Sequence, residues 1–126
     1  IEKAHSNFEK SGCSGKINLI AGDAADVLAN IDKTYDFIFI DAAKGQYNRY
    51  YKLCSEMVNP GGIIFADNVL YRGMVAGGAK INRRQQLLVK RLSEYINTAV
   101  NDKRFTTDVL SIGDGVCISY RNEGQV

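Results

Sequence analysis

Cysteine, proline, histidine and tryptophan are all scarce in this chain of 126 residues, which has three, one, one and none of them respectively. The cysteines, Cys13, Cys54 and Cys117, are widely spaced and form no CxxC pair. That pattern favours reduced packing residues in a cytoplasmic protein over a disulfide or a zinc site. No apolar run reaches the roughly 18 residues that a membrane span requires, and no signal-peptide pattern opens the chain. We therefore expect no membrane partner.

Common nucleotide-binding and hydrolase signatures are missing as well. The sequence contains neither GxGxxG nor GxxxxGK[ST], which excludes a dinucleotide fingerprint and a P-loop. It has no GxSxG elbow, and its one histidine, His5, lies far from any candidate nucleophile, which argues against a hydrolase triad. Hydrophobic residues at 45% and charged residues at 24% are ordinary globular values. The length predicts a single domain over residues 1–126.

The order of the predicted elements indicates an α/β fold. Apolar runs predict strands at residues 17–21, 35–40 and 63–66, and helical spacing predicts helices at residues 1–11, 24–31, 46–58 and 82–101. The continuous run at residues 35–40 is typical of a strand buried on both faces. Pro60-Gly61-Gly62 is predicted to end the third helix. Residues 107–112 and 116–120 flank Gly113-Asp114-Gly115 as a hairpin, which adds an antiparallel strand to a mainly parallel sheet.

Polar residues follow each predicted strand: Gly22-Asp23, then Asp41, then Asp67-Asn68. In open α/β sheets the ligand lies beyond the carboxyl ends of the strands, so we expect these residues to meet in one crevice. Two carboxylates and an amide oxygen form a hard-oxygen set that suits Mg²⁺ or Ca²⁺ rather than zinc. The alternative is that each acid is a helix N-cap or a loop residue.

Lys44 follows Asp41 by three residues, on the same loop or first helical turn. Beside a bound cation its pKa would fall, which is what a proton-abstracting lysine needs. It is otherwise an ordinary surface lysine. Gly22-Asp23-Ala24 provides a backbone turn that a flat ligand could approach.

Charge is unevenly distributed along the chain. From Arg72 to Arg104 the net charge is +6, and the remainder carries −4. On the predicted helix at 82–101, four basic residues share one face: Arg83, Arg84, Lys90 and Arg91. Such a stripe indicates either a surface for an anionic partner or a solvated helix face.

Two long motifs, YDFIFIDAAKGQYNRYY and GGIIFADNVLYRGMV, resemble the cation-dependent S-adenosylmethionine O-methyltransferases, a family that includes catechol and caffeoyl-CoA enzymes. The resemblance extends to the SIGDGVCIS hairpin and implies a Rossmann-like methyltransferase fold. It also implies a role for each matched residue: Asp41, Asp67 and Asn68 as ligands of Mg²⁺ (or Mn²⁺ or Ca²⁺), Lys44 with Asp41 in catalysis, Gly22, Asp23, Ala24 and Asp41 around S-adenosylmethionine, and Tyr71 stacked on the acceptor.

Three shorter segments, DAAKGQY, DNVLYRGMVA and IGDG, are most similar to bacterial tRNA 5-hydroxyuridine methyltransferases. This similarity implies methylation of a wobble-uridine hydroxyl in tRNA. Tyr71 and, from the basic stripe, Arg83 and Arg84 are the predicted substrate residues, and the resemblance to the family as a whole implies a homodimer. Three alternatives stay open. The acceptor could be a small hydroxylated aromatic compound of the catechol or caffeoyl-CoA type, and the chain could be a receiver-like regulatory module or a non-catalytic fragment.

One departure from the family pattern concerns the start of the chain, which begins with Ile1 rather than Met. The family's first two strands, with their glycine-rich loop and ribose-binding acid, have no counterpart here. In the family's sheet these two strands lie side by side between the strands that correspond to residues 17–21 and 35–40. We therefore expect a longer intact protein, and weak cofactor binding by this chain alone.

Overall fold

A computed structural model describes residues 2–77 and 81–124. The chain divides into two compact units, one ending at Ile31 and the other beginning at Asp32. The single domain over residues 1–126 stays a prediction. Within the described residues no helix is long and apolar enough to cross a membrane.

The first unit contains two helices, α1 (Glu2–Lys10) and α2 (Ala24–Ala29), both within the predicted helical segments. A short 3₁₀ turn, Ser14–Lys16, lies between them. The carboxylate of Asp23 caps α2, because its Oδ1 accepts hydrogen bonds from the backbone nitrogens of Ala25 at 3.0 Å and Asp26 at 3.2 Å. These bonds satisfy amide groups that a helix start otherwise leaves without a partner.

The strand predicted at residues 17–21 is wrong for this structure. In the part of the chain that the structure describes, this segment pairs with no strand, and Ile20 is 51% exposed. An apolar run becomes a strand only when a neighbouring strand satisfies its backbone N–H and C=O groups. Here the local pattern is present and the pairing is not.

The second unit is built on a four-stranded sheet with the strand order β1-β2-β4-β3. Its elements are β1 (Tyr35–Ile40), α3 (Tyr47–Met57), β2 (Val58–Asp67), α4 (Arg83–Asn101), β3 (Phe105–Leu110) and β4 (Val116–Arg121). β1 and β2 are parallel, whereas β4 is antiparallel to both of its neighbours. Three strands therefore run one way and β4 runs the other, which confirms the α/β fold with an antiparallel strand from the terminal hairpin.

Two details of the strand predictions are corrected. β1 has its predicted bounds, but it is not buried on both faces: Phe37 is 58% and Phe39 is 54% exposed. Exposure alternates along the strand, since Ile38 is half-buried and Ile40 is buried, so only one face is covered. α3 ends at Met57, before Pro60, and β2 then runs through Pro60. The proline is accommodated because the β1–β2 register shifts between Tyr35 and Phe37, and such irregularities tolerate a missing N–H.

The packing between α3, α4 and the sheet is aromatic. Tyr95 of α4 packs edge-on against Tyr47 and Tyr51 of α3, with ring centroids 5.7 and 5.8 Å apart. All three rings are at most 1% exposed. Edge-to-face packing of this kind adds about 0.5–1.5 kcal/mol per pair beyond area burial. Leu92, Tyr95 and Ala99 form the buried face of α4, and a capping box of Asn82 with Gln85 fixes where the helix begins.

Candidate functional site

The ends of β1 and β2 bring two acids to the same edge of the sheet. Ile40 pairs with Ala66 in parallel register, so Asp41 follows β1 beside Asp67, the last residue of β2. Neighbouring strands lie about 4.8 Å apart. The sequence-based prediction that these acids end adjacent strands is therefore confirmed.

Lys44 and Asn68 join these acids. Lys44 Nζ donates a hydrogen bond of 3.0 Å to Asn68 Oδ1. Asp67 Oδ1 accepts from the backbone nitrogen of Asn68 at 2.7 Å and from its Nδ2 at 3.1 Å. Asn68 adopts a left-handed backbone with φ of 57°, a conformation that asparagine tolerates better than most residues. We refer to Asp41, Lys44, Asp67 and Asn68 as the strand-end cluster.

Beneath this cluster lies Tyr47, the first residue of α3, whose side chain is fully buried. Its hydroxyl donates a hydrogen bond of 2.9 Å to the backbone oxygen of Asp67. Burial raises the pKa of Tyr47, the backbone N–H of Ala42 opposes that rise, and the charges of Asp41 and Asp67 add to it. Both carboxylates therefore lie close enough to act on one hydroxyl. The helical spacing of residues 46–58 includes Tyr47 but does not indicate this hydrogen bond; the available signal was that a buried tyrosine needs a partner for its hydroxyl.

The loop after Asn68 is attached to the C-terminal hairpin. Val69 N donates to Gly115 O at 3.0 Å, and Leu70 N donates to Asp114 O at 2.9 Å. Gly115 has a φ of 86°, and the Leu70 side chain lies against its Cα so closely that a Cβ there would clash. The IGDG motif thus holds the segment that carries Asp67 and Asn68.

A cleft of about 540 Å³ lies beside the cluster, between α4 and the loops. Its lining residues are Gly45, Tyr71, Asn82, Arg84, Gln85, Leu87, Leu88 and Arg91. The Arg91 guanidinium lies only 2.9 Å from where a Cβ on Gly45 would be, so it packs on the loop that carries Lys44. Of the predicted substrate residues, Tyr71 and Arg84 therefore meet in one cleft. Arg83 is exposed on α4 and is not among the described residues that line the cleft.

The predicted cofactor residues Gly22, Asp23 and Ala24 belong to the first unit. Gly22 and Asp23 border an open cavity of about 470 Å³ together with residues of α2. Gly22 has a φ of 153°, and a Cβ there would meet Val27 Cγ2 at 3.0 Å, so the backbone needs glycine at this position. The convergence of this turn with Asp41 on one crevice stays a prediction.

The donor chemistry of the strand-end cluster fits a hard divalent cation. Within residues 2–77 and 81–124 no three His, Cys, Asp or Glu side chains are grouped so that they could hold a metal. The strand-end cluster has two carboxylates, and its third oxygen donor is the Asn68 amide. Two carboxylates and an amide oxygen suit Mg²⁺, Mn²⁺ or Ca²⁺. A cation would take the Asn68 oxygen that Lys44 now occupies.

Comparison with known proteins agrees with this geometry. The family profile described as O-methyltransferase matches residues 1–122. The fold is that of a methyltransferase-like α/β protein, and the chain belongs to the O-methyltransferase family.

Relatives and solved structures support the same assignment. The chain is 37% identical to the caffeoyl-CoA O-methyltransferase of Citrus natsudaidai over an alignment of 122 positions, which covers 90% of this chain and 53% of that protein. It is 34% identical to the flavonoid 3',5'-methyltransferase of Vitis vinifera, with 90% of this chain and 52% of that protein covered. The crystal structure of SAH-bound Podospora anserina methyltransferase PaMTH1 superposes with a TM-score of 0.83 at 27% identity, covering 95% of this chain and 55% of that one. The chain thus spans about half the length of these proteins.

Proposed function

We propose that the protein is an O-methyltransferase that uses S-adenosylmethionine and a divalent cation. The observation that carries this proposal is the strand-end cluster, in which Asp41, Asp67 and Asn68 offer three oxygen donors beside Lys44. Membership of the O-methyltransferase family supports it. The proposed cofactor residues are Gly22, Asp23, Ala24 and Asp41.

The chain's own residues would divide the reaction between them. S-adenosylmethionine supplies the methyl group, and a cation held by Asp41, Asp67 and Asn68 lowers the pKa of the acceptor hydroxyl when both are bound. Lys44, after leaving Asn68 Oδ1 and releasing its own proton to solvent, would accept the hydroxyl proton at Nζ as a neutral amine. Tyr71 and the cleft beside it orient the acceptor, and such positioning contributes much of the rate in reactions of this kind.

The acceptor that we favour is a small hydroxylated aromatic compound. Relatives named for caffeoyl-CoA and for flavonoids match 90% of this chain, and this similarity supports a phenolic acceptor. Tyr71 at the wall of the cleft gives an aromatic ring a surface on which to stack. Asp41 and Lys44 then meet the ring hydroxyl.

A second candidate acceptor is 5-hydroxyuridine in tRNA. The specific observation in its favour is the pair of cationic side chains, Arg84 and Arg91, that line the same cleft as Tyr71. Arginine suits phosphate recognition, and an aromatic ring stacks on a base. The motif similarity to tRNA methyltransferases points the same way, and the homodimer stays a prediction for either acceptor.

The test is transfer of labelled methyl from S-adenosylmethionine to a panel of acceptors. The panel contains a catechol, caffeoyl-CoA, hydroxylated tRNA and unmodified tRNA, each with Mg²⁺ and with a chelator. We expect methylation of a phenolic acceptor that is lost on chelation and restored by Mg²⁺. Methyl transfer to tRNA alone would favour the second candidate. Methyl transfer that is unaffected by chelation would refute the proposed requirement for a divalent cation. Sedimentation of the same preparation measures whether it is a dimer.

A further inference from the structure

Tyr47 connects the two chain segments that carry the strand-end cluster. One segment runs from Asp41 to the 3₁₀ turn that begins at Lys44, and the other is the end of β2 with Asp67 and Asn68. The Tyr47 hydroxyl donates to the backbone oxygen of Asp67 at 2.9 Å, and Tyr47 itself directly follows that 3₁₀ turn. One buried side chain therefore ties the first segment to the backbone of the second.

Packing of the Tyr47 ring in the core fixes the position of its hydroxyl. The Tyr47 ring has no exposed surface, and it packs edge-on against Tyr95 at an interplanar angle of 89°. A ring held on all sides has little freedom to move its hydroxyl. The backbone oxygen of Asp67 is thus held at a fixed place, while its carboxylate accepts its hydrogen bonds from Asn68.

We propose that Tyr47 is the positioning residue of the cation site. By tying the segment that follows Asp41 to the Asp67 backbone, it sets the separation of the Asp41 and Asp67 carboxylates before a cation arrives. The effect of Tyr47 on the cation rests on the proposed function, whereas the link that Tyr47 makes between the two chain segments does not. Partners that orient metal ligands typically change metal affinity by about 10–100-fold when they are removed.

The chain offers a matched control for this role. Tyr51 is one turn further along α3, is equally buried and contacts the same Tyr95 ring. Its hydroxyl donates to Asp102 at 3.4 Å rather than to the strand ends. Tyr47→Phe and Tyr51→Phe therefore each remove one buried hydroxyl and keep the ring, and only Tyr47→Phe touches the cluster.

The experiment compares both variants with the unmodified protein by two measurements: Mn²⁺ binding, followed by the electron paramagnetic resonance of free Mn²⁺, and amide hydrogen exchange at Ala42 and Asn68. Tyr47→Phe should weaken Mn²⁺ binding by about tenfold or more, whereas Tyr51→Phe should leave it within about twofold. Exchange at Asn68 should rise by about three- to tenfold in Tyr47→Phe alone, as expected for one lost hydrogen bond. Equal effects of the two variants, or none from Tyr47→Phe, would overturn the proposal.

The two measurements separate this proposal from the proposed function. If the unmodified protein binds no Mn²⁺, the proposed cation site is wrong. The amide exchange rates still decide whether Tyr47 holds the two segments together. Should Tyr47→Phe not fold, the unmodified protein provides the test. Mg²⁺ should then slow exchange of the Tyr47 hydroxyl proton and of the Asn68 amide together, and a hydroxyl rate unaffected by bound Mg²⁺ would count against the role.

Discussion

Lys44 and Asn68 are joined side chain to side chain, with Nζ donating to Oδ1 at 3.0 Å across 24 positions of the chain. That oxygen is also the amide donor of the proposed cation site. The ammonium group and a divalent cation therefore compete for one atom, and their like charges oppose simultaneous contact. The residue proposed to accept a proton is thus also the residue that a cation displaces.

Replacing Lys44 should change cation binding and methyl transfer in opposite directions. Lys44→Met removes the competing ammonium, so we expect Mn²⁺ affinity to rise several-fold. Methyl transfer should fall by about 10²–10⁴-fold, the usual contribution of a general base. Mn²⁺ titration and labelled-methyl transfer measure the two effects, and Lys52→Met, an exposed lysine of α3, is the control. Weaker Mn²⁺ binding in Lys44→Met would contradict the competition.

Removing a carboxylate ligand should weaken the cation site directly. Asp67→Ala removes one of the two negatively charged donors, and we expect Mn²⁺ affinity to fall by at least about tenfold. Loss of a ligand should weaken binding at least as much as loss of a residue that only orients a ligand. Asp108→Ala, an exposed acid on β3, should leave the affinity unchanged. Unfolding curves for both variants check that the fold survives. Wild-type affinity in Asp67→Ala would exclude this residue as a ligand.

Elements defined by local pattern were predictable from the sequence. β1 has the predicted bounds, α4 begins one residue after its predicted start, and the hairpin turns at Gly113-Asp114-Gly115 as expected. The failures involve pairing. Residues 17–21 have an apolar pattern and no partner strand among the described residues. Val58 and Pro60 belong to β2 because Val58 pairs with Tyr35, which no local rule indicates.

The same distinction between local pattern and packing applies to the residues of the candidate site. Asp41, Asp67 and Asn68 were predictable because the carboxyl ends of neighbouring parallel strands meet at one edge. The roles of Tyr47 and Arg91 were not, because they depend on where a side chain points after the helices pack. A helical pattern places Tyr47 in the core, but only the packed structure directs its hydroxyl to the Asp67 backbone.

Alkaline pH should destabilise the protein through Cys54. Burial raises the pKa of this thiol from 9.0 to about 11 in the folded chain. The unfolded chain therefore loses this proton first, so the stabilisation is complete below pH 9 and is lost as the pH rises towards 11. Between these values the loss approaches about 1.4 kcal/mol per pH unit. Urea unfolding at pH 8 and pH 10 should show a smaller loss in Cys54→Ala than in the unmodified protein or in Cys13→Ala, and equal losses would contradict the assignment.

The basic cleft distinguishes the two candidate acceptors. Arg84 and Arg91 line it with Tyr71, whereas Arg83 is exposed on the same helix outside the described lining. If the acceptor carries phosphate, Arg84→Gln with Arg91→Gln should raise its KM and reduce the salt dependence of binding by about one unit of log–log slope per lost phosphate contact. Arg83→Gln is the control that removes one charge from α4 outside the described cleft lining. A phosphate-free catechol should be methylated with an almost unchanged KM, because it offers these guanidinium groups no anion. A larger effect of Arg83→Gln than of the double variant, measured with tRNA and with caffeoyl-CoA, would assign phosphate recognition to the outer face of α4 instead of the cleft.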